Sequence, residues 1–205
     1  MKIIKNKFKN LLIIEGQLHG DKRGYLREVY LEKLIKKKFK FQIISKSKKN
    51  VLRGLHAQAI NPQGKYLSVI KGKIFDVMVD LRSKSKTFGQ YFSILLSEKN
   101  CKSIYIPEGF AHGFIALDNE NIISYNCTNY RNAKSEITLK WNDSDINIKW
   151  PKIKPILSNK DNNGLSLNDF IKLVKKNSNS NFGLMFGPEA SGLSNEDLSF
   201  SNYVL

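Results

Sequence analysis

The stretch Tyr66-Leu67-Ser68-Val69-Ile70-Lys71-Gly72-Lys73-Ile74-Phe75-Asp76-Val77-Met78-Val79-Asp80-Leu81 joins two apolar, β-branched runs through a short gap centred on a glycine. So short a gap leaves no room for the crossover helix that a parallel pair needs. Outward from it the same texture recurs at Val51 to Leu55, Phe88 to Leu96, Lys102 to Ile106, Gly113 to Leu117, Asn121 to Thr128 and Glu136 to Trp141. Gly, Asn, Asp, Pro or Lys-Ser clusters separate these runs. Many short, evenly spaced strands predict an all-β closed sandwich or barrel. Upstream, residues 11–30 read as two strands around the turn Asp21-Lys22-Arg23-Gly24, and Leu31 to Lys38 has helical spacing. Downstream, an extended stretch follows Trp150-Pro151, then a helix from Ser166, its cap, to Lys176, then a linker at Asn177 to Asn181.

The chain has 205 residues, 41% of them hydrophobic, enough for one core. The expected organisation is one domain over 1–176, with 177–205 as linker and C-terminal extension. No run reaches the roughly 18 apolar residues of a membrane span, and lysines interrupt the hydrophobes of the first ten positions. A cytoplasmic protein with no membrane partner is expected. Cys101 and Cys127 are too distant for a Cys-x-x-Cys pair, and His19, His56 and His112 are scattered, so no metal is expected. The net charge of +16 is spread over the whole chain rather than gathered in a patch, which argues against a nucleic-acid partner. It suits a positive cleft for an anionic small molecule.

Three islands concentrate reactive side chains within this β-rich sequence. They are Val51-Leu52-Arg53-Gly54-Leu55-His56 with Gln63-Gly64-Lys65, then Pro107 to Phe114, then Tyr125-Asn126-Cys127-Thr128-Asn129-Tyr130. Arg53, His56 and Lys65 fall on what should be adjacent strands. Three basic groups beside an apolar wall repel one another unless an anion sits among them. In an unbroken strand Arg53 and His56 face opposite sides, and a bulge at Gly54 changes that.

With these islands in view, the sequence resembles the dTDP-4-dehydrorhamnose 3,5-epimerase family from about Asp21 to Asp161. Further matching segments are Glu28, Phe75-Asp76-Val77, Val79-Asp80-Leu81-Arg82, Thr87-Phe88-Gly89 and Leu157-Ser158-Asn159-Lys160-Asp161. The resemblance implies a cupin-type jelly roll (double-stranded β-helix) with a few short peripheral helices, a nucleotide-sugar substrate, no cofactor, and a homodimer that exchanges N-terminal strands. It implies His56 as the base that removes the proton beside the sugar's C4 ketone, oriented by Asp161. Tyr125 would return a proton from the opposite face, and Lys65 would stabilise the enolate. Arg53, Lys160 and the partner's Arg23 would hold the diphosphate; His112, Glu28 and Tyr130 would line the substrate pocket. A cofactor-independent reaction also agrees with the lack of a dinucleotide or phosphate-loop glycine motif.

Two departures stand out. Where the family reads the base with Gln, Asp or Asn, this chain has Phe41-Gln42-Ile43-Ile44-Ser45, leaving Gln42 as the candidate contact, and an aromatic position after the base is Ala57. The segment Phe186 to Glu196 resembles a short cofactor-binding piece of SpoU-type RNA methyltransferases, without the rest of that fold.

Overall fold

The structure, a computed structural model, describes residues 1–179. The strands of the first half are β1 (Lys2–Ile4), β2 (Leu12–Glu15), β3 (Leu18–Asp21), β4 (Gly24–Arg27), β5 (Phe41–Lys48), β6 (Leu52–Gln58) and β7 (Lys65–Lys71). There follow β8 (Lys73–Asp80), β9 (Tyr91–Ser97), β10 (Lys102–Ile106), β11 (Phe110–Ala116), β12 (Glu120–Cys127) and β13 (Glu136–Thr138), then helices α1 (Asn159–Asn162) and α2 (Leu167–Asn179). A six-stranded sheet in the order β1-β2-β10-β7-β12-β5 faces a five-stranded sheet in the order β13-β6-β11-β8-β9, while β3 and β4 pair only with each other. Every named pairing is antiparallel. Distant strands become neighbours, as the double-sheet jelly roll requires.

Alternation along the strands assigns each side chain to a layer. On β8, Ile74 and Met78 enter the cluster between the sheets with Phe110, Phe114, Ile123 and Tyr125. Phe75, Val77 and Val79 turn to a second cluster outside the five-stranded sheet, with Leu139, Leu167 and Phe170. Both faces of β8 are covered, which is why it reads as a nearly continuous apolar run. Helix α2 closes the outer layer with Leu167, Phe170, Ile171 and Val174, the spacing of one helical face. Ser166 caps it: its Oγ accepts from the Asp169 N–H at 3.0 Å and donates to the Asp169 carboxylate at 2.6 Å.

Some boundaries differ from the sequence reading. β11 starts at Phe110, not Gly113, so His112 is a strand residue. The helical spacing at Leu31 to Lys38 yields only a single 3-10 turn, Glu32–Leu34. Ile35 is pinned in a cluster with Ile14, Tyr66 and Tyr105, and Lys36-Lys37-Lys38 offers no apolar face on which to continue. Helix α2 runs through Asn177 to Asn179, so a boundary at 176 falls inside it. Neither Gly nor Pro stops the helix there, the next glycine being Gly183. The rest of the extension, with Phe186 to Glu196, lies outside the described residues. Among the described residues no helix is long and apolar enough to cross a membrane.

Candidate active site

β6 and β11 pair with a slip. His112 lies opposite His56 and Phe114 opposite Arg53, so Gly54 and Leu55 together oppose Gly113. Two residues against one make a β-bulge. It turns both Arg53 and His56 toward the space between the sheets, while Leu55 packs in the outer cluster. Gly54 sits at φ +120°, and a Cβ there would lie 2.5 Å from the Gly113 Cα. Only glycine combines that backbone with that approach.

His56 Nε2 lies 2.5 Å from Asp161 Oδ1. Asp161 is buried in α1 and held from several sides. Ser158 Oγ accepts from its N–H at 3.2 Å and donates to its Oδ2 at 2.8 Å, and the Gly54 N–H approaches Oδ1 at 3.4 Å. The His56 side chain remains 32% exposed. Burial lowers its pKa below the usual 6.5, outweighing the pull of Asp161, with Lys160 and Lys65 acting in the same direction as burial.

Lys65 and Tyr125 come from the facing sheet. Burial lowers the Lys65 ammonium below its ordinary 10.5, so an oxyanion placed beside it would offset the cost of its charge. Tyr125 is buried, and burial raises its phenol well above 10. Its hydroxyl accepts from Ser45 Oγ at 3.4 Å. His112 meets the Tyr125 ring edge-on at 6.3 Å and bonds Asp76 Oδ1 through Nε2 at 2.7 Å. Burial raises the Asp76 carboxyl, and its second oxygen has no hydrogen-bond partner among the described residues.

Toward solvent, Arg53 donates to Ser47 Oγ at 3.0 Å and to the Lys46 carbonyl at 3.3 Å. Lys160 is ion-paired with Glu136, which also takes two hydrogen bonds from Arg131 at 2.5 and 3.0 Å. Arg131 first, then Lys160, hold the Glu136 carboxyl down at about 2. Glu136 lines a narrow cavity with His56 and Lys65. Tyr130 is 66% exposed and stacks on Phe41 with centroids 5.7 Å apart.

Three expected contacts do not join this cluster within one chain. Gln42 points to the opposite side of β5, where its amide donates to Ser124 Oγ at 2.9 Å. Period-two alternation puts it out of phase with Phe41 and Ile43, so it is corrected from the site to the outer face. There it borders a cavity of about 600 Å³ with Tyr66 and Ser68, which shares no lining residue with the cavity at His56. Arg23 lies at the exposed β3–β4 turn, bound to Asp21 at 2.5 Å, and Glu28 is exposed just beyond β4. Conversely, Asp76, Glu136 and Ser158 received no role from the sequence. A carboxylate inside the apolar run Ile74 to Val79 was a signal for Asp76, and the Ser-x-x-Asp spacing 158–161 was one for Ser158. A charge on a short edge strand gives none for Glu136. Among the described residues no three His, Cys, Asp or Glu are grouped to hold a metal ion.

The model of the family described as dTDP-4-dehydrorhamnose 3,5-epimerase matches residues 5–169. The Salmonella typhimurium dTDP-4-dehydrorhamnose 3,5-epimerase is 46% identical over 169 residues, covering 78% of this chain and 92% of its own. This chain belongs to the dTDP-4-dehydrorhamnose 3,5-epimerase family. Its fold is that of solved epimerases. The Legionella pneumophila dTDP-6-deoxy-D-glucose-3,5-epimerase in complex with dTDP-4-keto-L-rhamnose is 40% identical with a TM-score of 0.78, over 82% of this chain and 93% of that one. A 3'-monoepimerase from Streptomyces bikiniensis in complex with dTDP-quinovose is 26% identical with a TM-score of 0.75, over 80% and 86%. In this epimerase-family chain, Ala57 pairs with Ile137 and packs against the outer cluster.

Proposed function

We propose that this chain inverts C3 and C5 of dTDP-4-keto-6-deoxyglucose, giving dTDP-4-keto-L-rhamnose by proton removal and return, without a cofactor. The observation that carries the reading is His56 on one sheet, bonded to Asp161 of α1, facing Tyr125 on the other sheet, with Lys65 beside them. Both carbons flank the C4 ketone, so loss of either proton gives the same kind of enolate.

His56, kept neutral by burial, donates its Nε2–H to Asp161 and leaves Nδ1 free to take the carbon-bound proton. Asp161 then stabilises the imidazolium, a role that its several hydrogen bonds suit. Lys65 meets the developing oxyanion, in surroundings where a positive charge is otherwise costly. Tyr125, whose phenol stays protonated, returns a proton from the other face and so inverts the centre. Arg53 and Lys160 take the diphosphate, Lys160 by exchanging its bond to Glu136. His112 braces the Tyr125 ring, and Tyr130 borders the pocket.

The functional unit is a homodimer with exchanged N-terminal strands. In support, the β3–β4 hairpin leaves Leu18, Tyr25 and Leu26 exposed, and Arg23 and Glu28 would join the partner's site. The catalytic domain spans 1–176 with the start of the extension built onto α2. The buried free thiols of Cys101 and Cys127 suit the reducing cytoplasm.

The test is incubation with dTDP-4-keto-6-deoxyglucose in deuterated water. Deuterium at both C3 and C5 is expected. One deuteron would reduce the reading to a single-centre epimerase, and none, in folded protein, would reject it.

A further inference from the structure

The inward face of β5 follows from its register. Ile43 lies opposite Tyr125 and Phe41 opposite Cys127, both partners belonging to the cluster between the sheets. Phe41, Ile43, Ser45 and Ser47 therefore face the cleft, and Gln42, Ile44 and Lys46 face away. The two cleft-facing hydroxyls are already engaged, Ser45 with Tyr125 and Ser47 with Arg53. What β5 leaves open toward the cleft is apolar: Ile43, 47% exposed, and Phe41, stacked under the exposed ring of Tyr130. β5 is also the last strand of its sheet, so this shelf sits at the sheet's edge. The Lys40 ammonium lies over the Tyr130 ring, 5.7 Å from its centroid. It is a donor on a flexible stem, and every pyrimidine has a carbonyl to offer it.

We infer that this chain grips the base of its nucleotide sugar by stacking and apolar contact on Phe41, Ile43 and Tyr130, and accepts cytosine carriers nearly as well as thymine carriers. The inference rests on the nucleotide-sugar reading and concerns the other end of that substrate. Thymine and cytosine have similar π-faces, and they differ in the donors and acceptors at N3 and C4. A side chain built to hydrogen-bond that edge rejects the wrong base by factors on the order of 10⁴, whereas stacking is tolerant of base identity. Among the described residues, β5 aims no side-chain amide or carboxylate at this shelf.

The experiment is titration calorimetry of the full chain with dTDP and with dCDP, which share sugar and diphosphate. Dissociation constants within about fivefold are expected, against the far larger ratio of an edge-reading site. Tyr130→Ala, a change at an exposed ring that spares the core, should weaken both ligands by the same factor, about tenfold. A ratio of about 100 or more, binding of neither nucleotide, or an intact affinity in Tyr130→Ala would overturn the inference. Protein that binds both nucleotides but incorporates no deuterium loses the epimerase reading and keeps this one. Protein that exchanges deuterium on the dTDP sugar and rejects dCDP loses this one alone.

Discussion

His56–Asp161 and His112–Asp76 are the same two groups, at 2.5 and 2.7 Å, and their histidines are register partners on the neighbouring strands β6 and β11. Their surroundings divide them. His56 keeps a third of its side chain exposed above a carboxylate anchored by a helix cap, whereas His112 is 6% exposed and Asp76 is fully buried. The chemistry of a pair thus follows from its access and its dielectric. The open pair suits proton transfer to a substrate, and the closed pair suits bracing the acid, Tyr125.

The comparison breaks most sharply at the bases. His56→Ala should reduce deuterium exchange at both carbons by about 10³- to 10⁴-fold with an unchanged circular dichroism spectrum. Comparable loss in a folded His112→Ala would show that the closed pair also moves protons. Tyr125→Phe should come next. Exchange should persist while inversion, followed by NMR of the sugar, falls about 10²-fold. Truncating the two carboxylates should then separate activity from stability. Asp161→Ala should act mainly on kcat, by about 10²-fold. Asp76→Ala, which leaves His112 buried without its partner, should cost about 1–3 kcal/mol in denaturant unfolding.

The smallest effect is a divergence with pH. The His56 pKa is lowered in the folded state, so its contribution to stability is complete above the unfolded value of 6.5 and is lost as pH falls through the folded value. The Asp76 pKa is raised, so its contribution has the opposite sign: it is complete below 3.8 and lost as pH rises through the folded value. The expected kcat/KM profile has an acid limb below pH 6.5. Asp76→Asn should leave that limb in place, and a limb above 6.5 would overturn the assignment of His56.

Much of the fold was legible because strand texture is local. The runs around Gly72 gave two strands directly, although β7 and β8 fall in facing sheets and do not pair with each other, and Ser166 marked the start of α2. The single turn at Glu32–Leu34 was not legible, since its length is set by where Ile35 packs, a contact made across the fold. His56, Lys65, Tyr125 and Asp161 were singled out through ordered motifs; His56 and Lys65, expected on adjacent strands, instead come from facing sheets and line one cavity between them. Gln42 was misplaced because a motif position carries no phase, and only the pairing of Tyr125 with Ile43 shows which residues of β5 face inward. Glu136 was invisible because its meaning lies in Arg131 and Lys160, which reach it from two different segments.

The paired glycines of β6 and β11 limit how this protein can change by mutation. A Cβ on Gly113 would lie 2.7 Å from the Arg53 carbonyl, and one on Gly54 would strike Gly113 in turn. Neither position can accept a side chain first and wait for the other to adjust, so no stepwise route leads away from the pair. A library that randomises both and selects for activity should return glycine at each. A search for altered specificity has more room on the open shelf of Ile43 and Tyr130, where added atoms meet solvent before they meet the fold.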